Sequence, residues 1–259
     1  MRKLPPARLD VRIARIIVRG TGLLLGILCC LMEYLFWAIS GQLNEQRRIL
    51  VLHRWSKFIL RSMRVSIEAT GTPIRSGLIA SNHLSYLDIM VYSAVAPCAF
   101  IAKREVRTWP AIGWIATLAG TIYVDRSRRS ETHTIQPEIQ AALADGLRLV
   151  LFPEGTSSDG SRVLHFHSSL FQPAVDLQAS VIAASIAYTI PDSVAETEAC
   201  YWGDMTLLPH VVNLLGKHSV MATVKFSPHE FRFNERKQAA QQMQSEVERL
   251  RGAAVEAVQ

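Results

Sequence analysis

The pattern of hydrophobic and polar positions divides this chain into an apolar N-terminal part and a longer part of mixed character. Residues 16–39 form an apolar run in which Arg19 and Glu33 are the only charged residues. A helix that crosses a bilayer needs about 20 apolar residues, and the charge-free stretch, residues 20–32, is shorter than that. The pattern predicts an apolar helix but leaves open whether it spans a membrane, because spanning would bring Glu33 into or near the hydrocarbon.

Residues 44–64 are predicted to form an amphipathic helix, since their side chains divide into two faces when projected at about 100° per residue. One face is apolar and consists of Ile49, Leu52, Trp55, Ile59 and Met63. The other face is basic and consists of Arg47, Arg54, Lys57, Arg61 and Arg64. A helix lying in the membrane interface has this pattern. A surface helix packed on its own domain has it too, so both interpretations stay open.

Positive charge on both sides of the apolar run favours a hairpin over a single crossing. The basic residues before and at the start of the run are Arg2, Lys3, Arg8, Arg12, Arg15 and Arg19. The Arg-rich helix follows the run, whereas the positive-inside rule places basic residues on one side of a crossing segment. No signal-peptide cleavage pattern follows Trp37. We expect residues 1–64 to be an anchor that dips in and returns at the cytoplasmic face of the cell membrane, where anionic lipids attract Lys and Arg.

Residues 65–259 alternate short apolar runs with helical stretches. This alternation predicts an α/β domain with a central, mostly parallel sheet flanked by helices. The predicted strands are residues 65–70, 77–81, 99–102, 121–124, 147–152, 181–187 and 220–226. The predicted helices are residues 86–94, 112–118, 132–144, 169–178, 207–214 and 235–254. We expect the last of these, a polar C-terminal helix, simply to cover the fold.

Composition narrows the classes of partner. The chain has 259 residues, of which 49% are hydrophobic, and a formal net charge of +6. A basic balance suits an anionic membrane, a nucleic acid or an acidic substrate. Because the basic residues concentrate around the apolar anchor, we expect membrane lipids and no nucleic acid as partners. The four cysteines suggest neither a disulfide framework nor a zinc motif, and His165 and His167 lack an evident third ligand, so no metal is predicted.

Residues 81–88, SNHLSYLD, carry the first candidate chemistry. Ser85 and Asp88 have capping-box spacing, which predicts Ser85 as a helix N-cap and places Asp88 in the first turn. A His83 on the turn before that helix can fold back towards Asp88. A carboxylate that holds one ring nitrogen of a histidine leaves the other free to accept a proton from an alcohol. The alternative is that Asn82 and His83 only cap the helix.

Residues 151–156, LFPEGT, carry the second candidate chemistry. Pro153 and Gly155 end the predicted strand, so the Glu154 carboxylate is expected to be exposed at its carboxyl end, where open α/β sheets bind ligands. The alternative is a strand followed by a common turn. The sequence contains neither a G-x-S-x-G elbow nor a phosphate-binding glycine loop, which counts against a serine hydrolase or a nucleotide enzyme.

The order of the motifs resembles that of the glycerolipid acyltransferase family typified by 1-acylglycerol-3-phosphate acyltransferase. NHLSYLD at residues 82–88 is similar to the family's first motif, GTIYVDR at 120–126 to its second, and FPEGT at 152–156 to its third. Residues 102–105 are similar to its lysine-containing segment. The resemblance covers roughly residues 69–187, although residues 181–186 lack the proline that is usual in the fourth motif.

The resemblance implies a membrane-associated enzyme that moves a fatty acyl group from acyl-CoA or acyl carrier protein directly to a lysolipid hydroxyl. It implies no covalent acyl-enzyme and no cofactor. His83 would be the general base, and Asp88 would orient it. The implied acceptor-binding residues are Arg126, Glu154, Gly155 and Thr156. The implied supporting residues are Asn82 and Lys103.

The resemblance points to two different acceptors. Most of the family acts on 1-acylglycerol-3-phosphate to give phosphatidic acid, and this lipid is the first choice. Relatives with a phosphate-bearing acceptor commonly have Arg after FPEGT and a later Phe-Lys-Lys-Gly element, whereas this chain has Ser157 and FHSS at residues 166–169. These residues are more similar to the lyso-ornithine lipid acyltransferase branch, whose acceptor has no phosphate. Lyso-ornithine lipid is therefore the alternative acceptor, and a non-catalytic membrane-binding protein is the alternative from another class.

Overall fold

A computed structural model of the protein describes residues 9–108, 112–124, 137–191 and 193–256. The helices are α1 (Leu9–Ile39), α2 (Glu45–Ser62), α3 (Leu87–Val95), α4 (Ile112–Leu118), α5 (Pro137–Ala144), α6 (Gln172–Asp176), α7 (Ala195–Glu198), α8 (Leu207–Gly216) and α9 (Arg236–Glu256). The strands are β1 (Val65–Thr70), β2 (Gly77–Ser81), β3 (Ala99–Lys103), β4 (Ile122–Val124), β5 (Arg148–Leu151), β6 (Val181–Thr189) and β7 (Val220–Phe226). Short 3-10 helices occupy Arg104–Thr108 and Ser168–Phe171.

Within the described residues the strands form one sheet in the order β1-β7-β6-β2-β5-β3-β4. Neighbouring strands are parallel except for β6 and β7. The predicted central, mostly parallel sheet flanked by helices is therefore confirmed. All residues of β2 are buried, as expected for a strand covered on both faces. Because β6, β2, β5 and β3 run in one direction, their carboxyl ends meet at the same edge of the sheet.

Some predicted elements differ from the observed ones at their ends. The predicted helix 169–178 is divided into a 3-10 helix and α6, because Pro173 in the first turn of α6 has no N–H to continue a helical ladder. Strand β6 continues to Thr189 since this residue pairs with Met221 of the antiparallel β7. Residues 132–136 of the predicted helix 132–144 lie outside the described part of the chain.

Helices α1 and α2 pack against each other as an antiparallel hairpin, as predicted. Gly26 of α1 lies against Ile59 of α2. Nearer the turn, Glu33 Oε1 accepts a hydrogen bond from Arg54 Nη1 at 2.7 Å, and Glu33 Oε2 accepts one from Trp55 Nε1 at 2.8 Å. The carboxylate in the apolar run is therefore paired within the hairpin.

The hairpin is docked on the α/β domain through both of its helices. Helix α2 packs against α3, and α1 packs against α8. The buried Arg19 of α1 donates hydrogen bonds to the carbonyl oxygens of Leu215, Lys217 and His218 at the end of α8. A cation at a helix C-terminus satisfies carbonyl groups that have no partner within the helix. The second charge of the apolar run, Arg19, is thus also paired. The predicted division into two domains at residue 64 stays a prediction.

The apolar face predicted for α2 lies inside the protein. Its members Ile49, Leu52, Ile59 and Met63 are buried, because α3 and the sheet supply apolar partners. Of the two interpretations, the helix packed on its own domain is correct, and placement of this face in the membrane is wrong. The basic residues Arg54, Lys57 and Arg61 remain exposed.

The open apolar surface belongs instead to α1. We call it the apolar face of α1, and its exposed members are Leu9, Val11, Ile13, Ile17, Val18, Leu24, Leu25, Leu28, Met32, Leu35, Phe36 and Ile39. Among the described helices, α1 is the one long and apolar enough to cross a membrane. A continuous exposed apolar surface of this extent is typical of a contact with a membrane or another protein.

Candidate active site

The loop between β2 and α3 positions the predicted histidine and aspartate. His83 lies in this loop, before the helix, as expected. The predicted N-cap role of Ser85 is wrong, because Tyr86 is the N-cap and the Ser85 hydroxyl has no hydrogen-bond partner among the described residues. The carboxylate of Asp88 instead accepts from the N–H groups of Leu84 and Ser85, which precede the helix.

Asp88 is fully buried and satisfied by hydrogen bonds on both oxygens. Its Oδ2 accepts from His83 Nδ1 at 2.7 Å, from the Leu84 N–H at 2.7 Å and from the Ser85 N–H at 3.1 Å. Its Oδ1 accepts from the Tyr188 hydroxyl at 2.6 Å. A carboxylate without exposure to water needs such donors to stay ionised. The predicted contact between His83 and Asp88 is therefore present, within a larger hydrogen-bonded group.

The contact with Asp88 determines which nitrogen of His83 carries the proton. An ionised carboxylate only accepts hydrogen bonds, so Nδ1 is the donor and Nε2 holds the lone pair. Among the described residues, no hydroxyl, thiol or other group hydrogen-bonds Nε2. The ring stacks on Phe152, with ring centroids 4.2 Å apart and planes inclined by 17°. His83 is thus held in a fixed orientation with a free basic nitrogen, as a general base requires.

Asn82 connects the loop to β6. Its Nδ2 donates to the carbonyl oxygen of Ile186, and its Oδ1 accepts from the Ile186 N–H, both at 2.9 Å. The side chain is fully buried, so it continues the pairing of β2 with β6 past the end of the strand. This geometry fits the predicted supporting role of Asn82.

Glu154 lies behind His83 and is not exposed, so the expectation of an open carboxylate was wrong. Its Oε2 accepts from the His83 N–H at 3.3 Å, and its Oε1 accepts from the Leu164 N–H at 3.1 Å. The chain after the motif folds back over the carboxylate, which retains 4% exposure. Burial raises the pKa of Glu154 to about 7, while the two N–H donors and the charges of His83 and Arg251 oppose the rise. Glu154 therefore holds the backbone of His83.

The remaining residues of the third motif shape the loop around His83. Gly155 has a φ of +70°, a conformation that favours glycine, and its N–H donates to the carbonyl oxygen of Phe152 at 3.1 Å. The Ser158 N–H donates to the carbonyl oxygen of His83 at 3.0 Å. Thr156 is exposed at the surface of this loop. The His83 peptide is consequently held on both its N–H and carbonyl sides by the segment after β5.

Aromatic residues lie together on another side of the loop between β2 and α3. Tyr86 donates to His210 Nδ1 at 3.0 Å, since His210 Nε2 donates to the carbonyl oxygen of Cys200 at 3.1 Å. Burial is the main effect on His210 and lowers its pKa, which favours the neutral ring that accepts from Tyr86. On the same side, the Ser157 hydroxyl donates to the carbonyl oxygen of Tyr201 at 2.5 Å. The Ser157 hydroxyl thus helps to hold Tyr201 beside the loop.

The structure does not bring the predicted residue Lys103 into contact with this group. Lys103 is exposed at the end of β3, and no hydrogen bond or ion pair joins it to another described residue. Arg126 lies outside the described residues. In the described part of the chain, no cluster of three His, Cys, Asp or Glu side chains has the arrangement of a metal site.

Sequence reasoning missed Tyr188, Ser158 and Arg251. Tyr188 interrupts the buried strand β6, and a buried tyrosine hydroxyl usually has a partner. That signal indicates that a partner exists, but Asp88 is one hundred positions away and only the fold identifies it. Ser158 contacts the His83 carbonyl oxygen with its N–H at 3.0 Å and its hydroxyl at 3.4 Å, and no local pattern in the sequence reveals this contact.

The fold places His83, with its ring oriented by Asp88, at the carboxyl edge of the sheet, and comparison with known proteins identifies the class of enzyme. The Acyltransferase family model matches residues 63–187. The lyso-ornithine lipid O-acyltransferase of Brucella abortus is 38% identical over 187 residues, which cover 67% of this chain and 70% of that protein. The protein of the same name from Rhizobium meliloti is 33% identical over 196 residues, covering 70% of this chain and 67% of that protein. The chain therefore belongs to the acyltransferase family and is an acyltransferase.

Other relatives carry a different name. The 1-acyl-sn-glycerol-3-phosphate acyltransferase of Neisseria meningitidis is 34% identical over 171 residues, which cover 62% of this chain and 66% of that protein. The crystal structure of the LPA acyltransferase PlsC from Thermotoga maritima superimposes with a TM-score of 0.64 at 19% identity, covering 96% of this chain and 98% of that one. This likeness confirms the fold.

Tyr188→Phe should lower kcat by roughly tenfold and change KM little. The change removes the donor to Asp88 Oδ1, and a hydrogen bond to a charged group contributes about 1.5–3 kcal/mol, part of which holds His83 in place. Steady-state kinetics against thioester concentration measure the effect. Tyr92→Phe is the matched control, because the buried Tyr92 hydroxyl contacts Ser81 at 2.6 Å instead of Asp88. Equal losses in both variants would contradict the assigned role.

Proposed function

We propose that the protein transfers a fatty acyl group from the thioester of coenzyme A or acyl carrier protein to the hydroxyl of a lysolipid, and that this lysolipid is lyso-ornithine lipid. The observation that carries the reaction is the free Nε2 of His83, whose other ring nitrogen is bound to the buried Asp88. The thioester is a co-substrate, and no further cofactor takes part in the proposal.

The proposed reaction is a direct transfer. His83 Nε2 removes the proton of the acceptor hydroxyl as its oxygen attacks the thioester carbonyl. The carbon–sulfur bond then breaks, and the thiolate recovers the proton from the imidazolium. A positioned general base contributes typically 10²–10⁴-fold, and the Asp88 carboxylate stabilises the imidazolium that forms in between.

The proposed acceptor differs from the first choice suggested by the family at large. The relatives from Brucella abortus and Rhizobium meliloti, of which this chain covers 70% and 67%, are lyso-ornithine lipid O-acyltransferases. An ornithine head group has a carboxylate and an amine and no phosphate, so it needs fewer cationic donors than a phosphomonoester. In this site Ser157 stands where phosphate-using relatives commonly have arginine, and its hydroxyl is already bonded to Tyr201.

Lysophosphatidic acid is the second candidate acceptor. The named relative from Neisseria meningitidis favours it, and so does Arg162, an exposed cation on the loop after the third motif. Arg126, which the family resemblance associates with the acceptor, would have to supply much of the remaining charge.

We propose that the apolar face of α1 contacts the bilayer at the cytoplasmic face of the membrane. Both charges of the apolar run are paired inside the protein, through Arg54 and Trp55 for Glu33 and through α8 for Arg19. The outward surface of α1 can therefore enter lipid without exposing Glu33. The exposed cations of α2 lie beside it, where they would attract anionic head groups by roughly 1 kcal/mol each.

His83→Ala should reduce turnover by at least about 10²-fold, because the free base at Nε2 is lost. Thioester cleavage in the presence of lysolipid measures the rate, and thermal unfolding shows whether the variant is folded. His229→Ala is the control, since His229 is exposed beyond the end of β7, at the opposite edge of the sheet. Activity near that of the wild type in His83→Ala would refute the mechanism.

The wild type should acylate lyso-ornithine lipid with a kcat/KM at least tenfold higher than that for lysophosphatidic acid, a preference of about 1.4 kcal/mol. Ser157→Arg should move the ratio towards lysophosphatidic acid, because it adds a cation that can pair with phosphate. A wild-type preference for lysophosphatidic acid would overturn the proposed acceptor while leaving the reaction unchanged.

Leu24→Asp combined with Leu28→Asp should release the protein from anionic vesicles without lowering its Tm, because both side chains are more than half exposed on the apolar face of α1. Sedimentation with vesicles measures binding. Leu177→Asp is the control, because Leu177 is 41% exposed on the α/β domain, after α6. Unchanged sedimentation of the double variant would show that another surface binds the membrane.

A further inference from the structure

The C-terminal helix α9 packs on the sheet, and its end reaches the loop that follows the third motif. Its apolar side packs against β6 and the 3-10 helix Ser168–Phe171, through the buried residues Ala239, Ala240, Met243, Val247 and Leu250. The next residue, Arg251, reaches from this anchored position towards the loop that follows the third motif.

Arg251 binds that loop at Gly160. Its Nη2 donates a hydrogen bond to the carbonyl oxygen of Gly160. Gly160 has a φ of +81°, and a Cβ placed there would come within 3.1 Å of Leu84 Cδ2. Gly160, which Arg251 holds, is therefore packed against Leu84, the residue after His83 in the loop between β2 and α3.

The contact with a neutral carbonyl oxygen leaves the positive charge of Arg251 without a counter-charge at this point. Nη1 is buried and has no hydrogen-bond partner among the described residues. A guanidinium in this state acts on nearby carboxylates, because the interaction is weakly screened away from water. Arg251 accordingly lowers the pKa values of both Glu154 and Asp159, as the smallest of several effects: burial and two N–H hydrogen bonds dominate for Glu154, and hydrogen bonds from Ser161 dominate for Asp159.

We infer that Arg251 is a positioning residue of the active site: it holds the loop at Gly160 against Leu84, next to His83, and its positive charge favours the ionised form of Glu154, the acceptor for the His83 N–H. The inference rests on the proposed function in so far as His83 is the base. An ionised carboxylate accepts from both the His83 and Leu164 N–H groups more strongly than a neutral one. Loss of Arg251 would weaken the hydrogen bond by which Glu154 holds the backbone N–H of His83.

Arg249 provides a matched control on the same helix. Its guanidinium pairs with Glu246 at 2.8 Å, and its side chain is 55% exposed. Arg249→Gln removes the same charge from α9, two positions away, without touching the loop at Gly160.

The activity-independent test uses the titration of Glu154. Its pKa is about 7 in the folded protein, against an ordinary value of 4.5. Protonated Glu154 therefore contributes stability that is complete below about pH 4.5 and is lost as the pH rises through about 7. Thermal unfolding of the full-length protein in detergent from pH 4 to pH 9 should show this loss as a fall in Tm that Glu154→Gln abolishes.

Arg251→Gln should move that fall in Tm upward by about half a pH unit, since an opposite charge near the carboxylate is removed. Arg251→Lys should restore most of the wild-type position, and Arg249→Gln should leave it unchanged. The other group whose charge acts on Glu154 is His83, while Asp159 on the loop interacts with Arg162 and Arg251, and all of these except Arg251 are retained in the variants. At pH 7, Arg251→Gln should also lower kcat/KM by about twofold, since half a pH unit roughly halves the ionised fraction of Glu154, and the loss should shrink as the pH rises.

An unchanged Tm profile in Arg251→Gln would overturn the inference. So would a shift that persists in the Glu154→Gln background, because Arg251 would then act on another group or only on the loop. A wild type that does not acylate lyso-ornithine lipid, together with the expected shift in Tm, would refute the proposed acceptor and support the role of Arg251.

Discussion

The buried carboxylate of Asp88 is the interaction on which the rest of the site depends. It lies at the start of α3, out of contact with water, and binds the ring of His83, two backbone N–H groups and the Tyr188 hydroxyl. A charge in such a place is stable only when its donors are complete. The loop after β2 and the end of β6 are therefore held together by the need to satisfy this one group.

Local sequence patterns predicted the features that depend on residues close together in the chain. The alternation of apolar runs placed the strands, and the basic flanks of residues 16–39 predicted a hairpin. The five-residue interval from His83 to Asp88 suggested their contact. In each case the signal lies within one element or across one turn, where spacing limits the possible geometry.

The features that could not be predicted all depend on contacts between distant parts of the chain. The apolar stripe of α2 fits a membrane or a protein core equally well, and only the presence of α3 decides between them. Glu154 follows a strand and a proline, so exposure was the natural expectation, but Leu164 folds over it. Arg251 lies in a helix rich in charged and polar residues, and nothing in its surroundings in the sequence points to Gly160.

The pairing of the two charges of α1 has a consequence for how the protein is made. Glu33 is neutralised by α2, which follows directly, but Arg19 is satisfied by carbonyl groups at the end of α8, almost two hundred residues later. When α1 first leaves the ribosome, neither partner exists, and a bare arginine and glutamate oppose its burial in hydrocarbon. For the proposed contact of α1 with the bilayer, both charges of the apolar run are therefore paired only after α8 has been synthesised and has folded against α1.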